Sequence, residues 1–327
     1  MPRLTQSEVM DSLDGVVLAK EADEQTYEPK PYRAANILHG WVHNSSHPTA
    51  TGTVMNASLP PVFSTGVTAP TVAVEALSAE KIYNSGTHAL RPVNLSINQG
   101  EFVTLLGPSG CGKSTLLKMV AGLIEPSDGR LLLWRKPVNR LAETGNELSY
   151  VFQEATLMPW RTVRQNVRLP LELMKMSRAE ADRRVDAVLN LVGLHQFPDA
   201  LPRELSGGMQ MRVSIARGLV LEPQLLLMDE PFGALDEITR NRLDSDLLNL
   251  WHQQQLTVMF VTHSIHEAVF LSQRVIVMAA RPGRVVADVH IDEPFPRTDE
   301  FRLSARFSAY AMQLHQHLVG ASLENPA

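Results

Sequence analysis

Residues 107–115 of this 327-residue chain read Gly-Pro-Ser-Gly-Cys-Gly-Lys-Ser-Thr. The stretch satisfies the pattern G-x-x-x-x-G-K-[ST], in which the backbone N–H groups of a glycine-rich loop wrap around nucleotide phosphates. An apolar run, Phe102–Leu106, precedes it, and a segment with helical periodicity, 113–122, follows it. A strand, a phosphate loop and a helix in this order predict an α/β fold with a nucleotide at the loop.

Composition excludes several classes of protein. Apolar residues make up 44 % of the chain, which is enough for a sizeable core, and the net charge of −5 argues against a nucleic-acid partner. Cys111 is the single cysteine, so no intrachain disulfide is expected. No run approaches the about 18 apolar residues of a membrane span, and the acidic first 30 residues lack the apolar centre of a secretory signal.

The chain divides into three predicted regions. Residues 1–72 include a long stretch without any charged residue and are predicted to form a flexible, low-complexity extension. Over residues 73–300, strands and helices alternate, which predicts a mostly parallel sheet core with an antiparallel β edge. A helical pattern over 161–197 interrupts this alternation, so we expect an inserted helical subdomain at about 155–215. Residues 301–327 are predicted to be a C-terminal helical tail.

The phosphate loop predicts specific roles for its residues. Gly107, Gly110 and Gly112 let the backbone approach the phosphates without an obstructing Cβ atom. Lys113 is expected to place its ammonium between the β- and γ-phosphates, and Ser114 to ligate Mg²⁺. We expect backbone contacts from the other members of the loop, with Cys111 acting through its amide: Pro108, Ser109, Cys111 and Thr115.

Two acidic residues follow a fully apolar strand. Asp229 and Glu230 come after Leu225–Met228 and should lie at the carboxyl edge of the sheet, where open α/β folds bind ligands. Asp229 is predicted to hold Mg²⁺ through water, and Glu230 to polarise the attacking water as a general base. The alternative is an acidic pair that favours the dipole of a helix starting near Pro231.

His263 follows another apolar strand, Val258–Val261. A histidine at a strand end can reach a γ-phosphate and link it to Glu230. A purely structural histidine is the alternative. His263 and His266 also have an H-x-x-H spacing, but without a third ligand we do not expect a metal site there.

A second glycine-rich turn occurs about 90 positions after the phosphate loop. Residues 205–210 read Leu-Ser-Gly-Gly-Met-Gln and lead into an apolar-periodic helix, whose N-terminus could also dock an anionic phosphate. A phosphate loop alone indicates only that a nucleotide binds. Both motifs in this order predict an ATPase that closes as a head-to-tail dimer.

Together, these motifs resemble those of the ATPase subunits of ATP-binding cassette (ABC) transporters, over roughly residues 73–290. Residues 107–115 resemble the family's Walker A loop, 225–230 its Walker B strand, and His263 its switch histidine. The resemblance implies a P-loop NTPase cassette that binds ATP and Mg²⁺ and hydrolyses ATP.

The same resemblance implies further site residues. Gln153 is similar to the Q-loop glutamine, which senses Mg²⁺ and couples to the transport subunit, and Asp236 lies in a D-loop that crosses the dimer contact. Tyr83 fits the aromatic residue that stacks on adenine, a partly buried strand tyrosine being the alternative. The signature motif, which would act on the partner chain's ATP, corresponds to Ser206, Gly207, Gly208 and Gln210.

A narrower resemblance points to one branch of importers. Residues 157–163, 266–272 and 280–284 look like the nitrate, sulfonate and taurine importers. This branch implies a homodimer on the cytoplasmic face of the inner (plasma) membrane, bound to integral permease subunits and served indirectly by a periplasmic or extracellular solute-binding protein. Met211 and Ser264 stand where the family usually has glutamine and aspartate, but neither removes a group needed for hydrolysis.

Two other functions compete with transport. A non-transport ABC ATPase of translation or DNA repair usually has two cassettes or a long coiled-coil insertion, whereas only about 50 positions separate Gln153 from Leu205 and no heptad run is present. A non-hydrolysing regulatory binder is disfavoured because the whole catalytic set is present: Lys113, Asp229, Glu230 and His263.

Overall fold

The computed structural model describes residues 71–323. Ten strands are present in this range: β1 Val72–Ile82, β2 His88–Asn98, β3 Phe102–Leu106, β4 Asp128–Leu133, β5 Lys136–Pro137, β6 Leu148–Val151, β7 Leu225–Asp229, β8 Thr257–Thr262, β9 Arg274–Ala279 and β10 Arg284–His290. Eight α-helices accompany them: α1 Lys113–Val120, α2 Val163–Leu173, α3 Arg178–Leu191, α4 Gly207–Leu219, α5 Glu237–Gln254, α6 Ile265–Leu271, α7 Asp299–Arg302 and α8 Ala305–Leu323.

A six-stranded sheet in the order β10-β9-β3-β8-β7-β6 carries the site. Its strands run parallel except for β10, which pairs with β9 in the antiparallel sense at one edge. The central strands β3, β7 and β8 therefore end side by side, and the polar residues that follow them meet at one edge. The predicted α/β fold with a mostly parallel core is confirmed.

Both faces of this sheet are buried, which explains why its strands are apolar without alternation. Along β3, Phe102 and Leu106 belong to one hydrophobic cluster, whereas Val103 and Leu105 belong to another on the opposite face. One cluster contains side chains from helices α2 to α8, and the other contains side chains from α1 and a second sheet. The sheet is thus the middle layer of the cassette.

The second sheet is antiparallel and has four strands in the order β2-β1-β4-β5. The predicted antiparallel part is therefore mainly a sheet of its own, with β10 as the single antiparallel strand of the six-stranded sheet among the described residues. Inward-facing residues of β1 and β2, such as Val74 and Ile97, pack in the cluster that also holds α1. This packing brings the β1–β2 connection close to the phosphate loop.

The stretch 161–197, helical by pattern, contains two helices, α2 and α3. Thr162 and Gln165 form a capping box that starts α2, with the Gln165 N–H donating to Thr162 Oγ1 at 3.3 Å. Lys175 has a φ of 55°, which no helix accommodates, and Ser177 then caps α3. The helical block is completed by α4, which continues to Leu219, beyond the expected limit near 215.

The C-terminal helices pack on the cassette. Phe307 and Leu314 of α8 are buried in the hydrophobic cluster that includes α6. The buried Arg297 donates hydrogen bonds to the carbonyl oxygens of Val269 and Phe270 at 2.8 and 2.9 Å. Most of the predicted N-terminal extension lies outside the described residues. Within residues 71–323, every helix is too short or too polar to span a bilayer.

Candidate active site

The phosphate loop is held by close packing against distant backbone. Gly112, the residue before α1, has a φ of 87°, and a Cβ atom there would lie 2.8 Å from the carbonyl oxygen of Ala89. A Cβ atom on Gly107 would lie 2.5 Å from the carbonyl oxygen of Met278. A side chain at Gly107 or Gly112 would clash with these carbonyl oxygens, so glycine at both positions allows the tight turn between β3 and α1.

Lys113 lies at the centre of the loop and is only 4 % exposed. Its Nζ donates to the carbonyl oxygens of Gly107 and Pro108 at 2.8 and 3.0 Å and lies 3.5 Å from Glu230 Oε1. An ammonium held by two loop carbonyls points into the turn that would surround a phosphate. It supplies the positive charge that such an anion needs.

The end of β7 meets the start of α1 through a short hydrogen bond. Ser114 Oγ donates to Asp229 Oδ1 at 2.6 Å, and the Tyr150 hydroxyl donates to Asp229 Oδ2 at 2.9 Å. Burial, followed by the neighbouring Asp229 carboxylate, raises the pKa of Tyr150. Tyr150 lies on β6 and belongs to none of the sequence motifs.

The oxygen atoms of Ser114 and Asp229 fit a magnesium ion. Mg²⁺ prefers oxygen ligands and is usually bound by one or two carboxylates together with substrate phosphates and water. Among residues 71–323 no cluster of three or more His, Cys, Asp or Glu side chains could form a complete protein cage. This donor set therefore suits a cation that arrives with a nucleotide, where it would neutralise charge on the phosphates.

Glu230 and His263 form a contact across the ends of β7 and β8. His263 Nδ1 lies 3.1 Å from Glu230 Oε2, and the side chain of His263 is exposed. The φ of Glu230 is 47°, an arrangement that costs a residue with a side chain about 1–3 kcal/mol. The Glu230 N–H donates to the Val261 carbonyl at 3.0 Å, which holds the strained residue against β8.

Buried polar groups support the loop that carries His263. The Thr262 hydroxyl accepts from the Ser264 N–H at 2.9 Å and donates to Glu267 Oε2. Glu267 also lies 3.7 Å from Arg240 Nε, and burial raises the pKa of its carboxyl group. These contacts fix the turn between β8 and α6.

A second buried acid lies behind this turn. Asp244 of α5 is fully buried, and Arg302 of α7 donates to its Oδ2 at 3.3 Å. Burial, and then the charge of Glu267, raises the pKa of Asp244 to about 8. The guanidinium of Arg302 also stacks on Phe270, 3.3 Å from the ring centre.

A cavity of about 490 Å³ opens at the phosphate loop, and eight of the predicted residues line it: Ser109, Gly110, Gly112, Lys113, Ser114, Thr115, Gln153 and Glu230. Its lining includes both Gln153 and Glu230, so the predicted Q-loop glutamine and the candidate base face the same space. The far wall comes from the β1–β2 connection and the loop before β10, which the motifs did not predict as parts of the site. This wall comprises Thr87, His88, Ala89, Arg281, Pro282 and Gly283.

Tyr83 and Cys111 occupy different environments. Tyr83 follows β1 with a largely exposed ring, and its hydroxyl lies 3.3 Å from Thr115 Oγ1. Cys111 is buried beneath the loop, and burial raises the pKa of its thiol. An inaccessible, protonated thiol leaves the backbone amide as the group that Cys111 can offer to a ligand.

The glycine-rich turn at residues 205–210 lies apart from this cavity. Ser206 caps α4 by accepting from the Met209 N–H at 3.3 Å, and Ser206 and Gly207 are exposed. Gly208 packs so closely that a Cβ atom would lie 2.8 Å from Thr239 Cγ2. Gln210 Nε2 donates to the Pro202 carbonyl at 3.0 Å. None of these residues is among those that line the phosphate-loop cavity in the described part of the chain.

Asp236 caps the next helix, α5. Its Oδ1 accepts from the Thr239 N–H at 3.0 Å, and this hydrogen bond lowers the pKa of Asp236. The residue is exposed, as is Ile238 in the first turn of the helix. Asp236 therefore orders a helix start within its own chain and lies at an accessible surface.

The arrangement around the cavity suits phosphoryl-group hydrolysis. Lys113 and the loop amides would stabilise negative charge on a phosphate, and the carboxylate of Glu230, which also lines the cavity, could bind a water there. His263 Nδ1 contacts one oxygen of this carboxylate. The geometry thus brings together one carboxylate, one ammonium group and a glycine-rich loop.

Comparison with known proteins supports this interpretation. The chain is 51 % identical over 224 residues to a putative ATP-binding protein of Brucella abortus (strain 2308), which covers 68 % of this chain and 85 % of that protein. It is 43 % identical to the aliphatic sulfonates import ATP-binding protein of Bacillus licheniformis, and the match covers 67 % of this chain and 85 % of that protein. It is 47 % identical to the taurine import ATP-binding protein of Rhizobium johnstonii, and the match covers 64 % of this chain and 79 % of that protein.

Two solved structures are similar in fold. One is cbiO1 from Clostridium perfringens, part of the ABC transporter complex cbiONQ, with a TM-score of 0.64 and 30 % identity over 74 % of this chain and 99 % of that one. The other is a dimeric post-hydrolysis state of the ATP-binding cassette MJ0796 bound to ADP and Pi. It has a TM-score of 0.59 and 34 % identity, over 68 % of this chain and 100 % of that one.

A family model described as "ABC transporter" matches residues 90–233, a range that begins in β2 and ends just past Glu230. The match therefore contains the phosphate loop, Gln153 and the signature turn. His263, which lies outside that range, still contacts Glu230 within it. On the strength of the motifs, their geometry and these relatives, this chain belongs to the ABC transporter family, as an ATP-binding ATPase subunit.

Proposed function

We propose that two copies of this chain energise an importer for a small anion, such as a sulfonate, taurine or nitrate, by closing head to tail over ATP and Mg²⁺. The observation that carries the proposal is the separation of the two phosphate-binding motifs. The Ser206 turn is exposed at the N-terminus of α4 and does not line the cavity of its own phosphate loop. A second copy can therefore bring its turn to that cavity.

In this dimer, each ATP would contact both chains. Lys113 and the loop amides of one chain would bind the phosphates, Ser114, Asp229 and Gln153 would hold Mg²⁺, and Tyr83 would stack on adenine. Glu230 would act as the general base with His263 as its partner. Ser206, Gly207, Gly208 and Gln210 of the other chain would close over the γ-phosphate, with Asp236 at the contact between the chains.

The helical block of residues 163–219 is the proposed contact with a membrane-embedded permease. Trp160, just before α2, is 73 % exposed, and Leu173 at the end of that helix is exposed as well. Apolar side chains in such positions favour a protein partner over solvent. The chain would thereby be held at the cytoplasmic face of the inner membrane, and a solute-binding protein would act through the permease.

Relatives named as import proteins favour transport over a role in translation or DNA repair. The decisive experiment identifies a permease that copurifies with the tagged chain, coexpresses the two and reconstitutes the complex in liposomes. We expect ATP hydrolysis to rise when a solute-binding protein loaded with sulfonate, taurine or nitrate is added. Hydrolysis by a chain that never associates with a permease would contradict the proposal.

A further inference from the structure

The carboxylate of Asp229 is held by a hydroxyl on each of its two oxygens. Ser114 donates to Oδ1 at 2.6 Å, and Tyr150 donates to Oδ2 at 2.9 Å. Ser114 is itself a proposed ligand of Mg²⁺, so its bond to Asp229 is one that cation binding would exchange. Tyr150 has no such second role, which leaves it free to hold Oδ2 throughout.

Tyr150 is placed for this contact by the sheet. It lies on the edge strand β6, which pairs in parallel with β7, and its ring centre lies 4.5 Å from that of Phe152. The side chain is half-buried, and its hydroxyl donates a hydrogen bond to Asp229 from this position.

We propose that Tyr150 is a positioning residue, which orients the Asp229 carboxylate for Mg²⁺ and links the strand that leads to Gln153 with the metal site. The proposal rests on the proposed function, in which Asp229 serves the metal. A carboxylate can rotate about its Cβ–Cγ bond, and a donor on Oδ2 restricts that rotation while Oδ1 faces Ser114. Partners of metal-binding carboxylates commonly control metal affinity in this way.

The test is Tyr150→Phe, which keeps the ring beside Phe152 and removes only the hydroxyl. ATP affinity is measured by calorimetry on the full chain, first in EDTA and then at increasing Mg²⁺ concentrations. We expect ATP affinity in EDTA to stay within about twofold and the half-saturating Mg²⁺ concentration to rise roughly 10-fold, the lower end of the loss seen for such partners. An unchanged Mg²⁺ dependence would overturn the proposal.

Two further variants separate the possible outcomes. Tyr310→Phe removes a hydroxyl that accepts from the Asp292 N–H at 3.0 Å outside the site, and it should leave both measurements unchanged. Asp229→Asn should raise the half-saturating Mg²⁺ concentration by more than Tyr150→Phe does, because it removes the charged ligand itself. If it does not, the assigned role of Asp229, and with it the proposed function, fails. If only Tyr150→Phe is silent, the inference about Tyr150 fails alone. A Tyr150→Phe chain that loses ATP affinity in EDTA and thermal stability would show a packing role and refute positioning.

Discussion

His263 Nδ1 lies 3.1 Å from Oε2 of Glu230, so the histidine that follows β8 holds the acid that follows β7. The other carboxylate oxygen of Glu230 lies 3.5 Å from the ammonium of Lys113. Glu230 is thus held between two basic groups, and its carboxylate could accept the proton of a water that attacks the γ-phosphate. Its role as a base is directly testable.

Glu230→Gln should retain ATP binding and lose most turnover. The amide keeps the size and the hydrogen-bonding partners of the side chain but cannot accept a proton. We expect the hydrolysis rate to fall by about two to four decades, a barrier increase of roughly 3–5 kcal/mol. Steady-state phosphate release and nucleotide binding are measured on the same preparation, and near-normal hydrolysis would exclude Glu230 as the base.

Lys113→Ala should weaken the binding of ATP itself. Loss of a charged hydrogen-bond donor to phosphate costs about 1.5–3 kcal/mol of binding free energy, which raises the dissociation constant roughly 10- to 100-fold. Lys118→Ala, in the last turn of the same helix, is the matched control and should bind ATP normally. Equal affinities of the two variants would refute the role of Lys113.

The head-to-tail dimer predicts complementation between two inactive chains. A chain with Lys113→Ala lacks a working phosphate loop, and a chain with Ser206→Arg has a blocked signature turn. Mixed together, they form heterodimers in which one site joins the intact loop of the second chain to the intact turn of the first. We therefore expect ATPase activity well above that of either variant alone.

The control for complementation places both substitutions in one chain. Mixed with a Lys113→Ala chain, this double variant cannot assemble any intact site, so activity should stay at the background level. Absence of recovery in the first mixture, with dimers demonstrated by light scattering, would argue that each chain closes its own site.

The phosphate loop and the Walker acids could be predicted from sequence because each depends on local order along the chain. An apolar strand followed by glycines or acids places those residues at the sheet edge wherever the strand lies. Tyr150 could not be found in this way, since its bond to Asp229 joins residues 79 positions apart. The same holds for the loop 281–283, which reaches the cavity through the bridge between Leu90 and Gly283.

The break between α2 and α3 could not be predicted from the sequence pattern for a related reason. Apolar periodicity continues through the 161–197 stretch, so a pattern of hydrophobic residues alone does not show the break. The interruption depends on the left-handed backbone at Lys175 and the cap at Ser177, which are local features of single residues.

The buried Asp244 predicts a particular pH dependence of stability. Its pKa in the folded chain is about 8, well above its ordinary value, so between these two values the folded state binds a proton that the unfolded state releases. The free energy of unfolding contributed by this group must therefore fall as pH rises, by up to about 1.4 kcal/mol per pH unit, and level off above pH 8.

Asp244→Asn removes this titration. We expect the difference in unfolding free energy between the variant and the natural chain to shift in favour of the variant from pH 5 to pH 8, as measured by urea denaturation. Asp299→Asn is the control, because Asp299 also lies near Arg302 but is 86 % exposed. A flat difference for Asp244→Asn would show that its carboxyl group is ionised in the fold.

The carbonyl of Ala89 touches both Gly112 and Gly283, where an added Cβ atom would lie 2.8 and 2.5 Å away, and Met278 closes the other side of the loop at Gly107. The backbone conformation of the nine-residue Walker A motif therefore depends on contacts with chain segments far from it in sequence. On an unrelated scaffold that lacks these contacts, the nonapeptide would keep its glycines but lose the backbone conformation that binds phosphate.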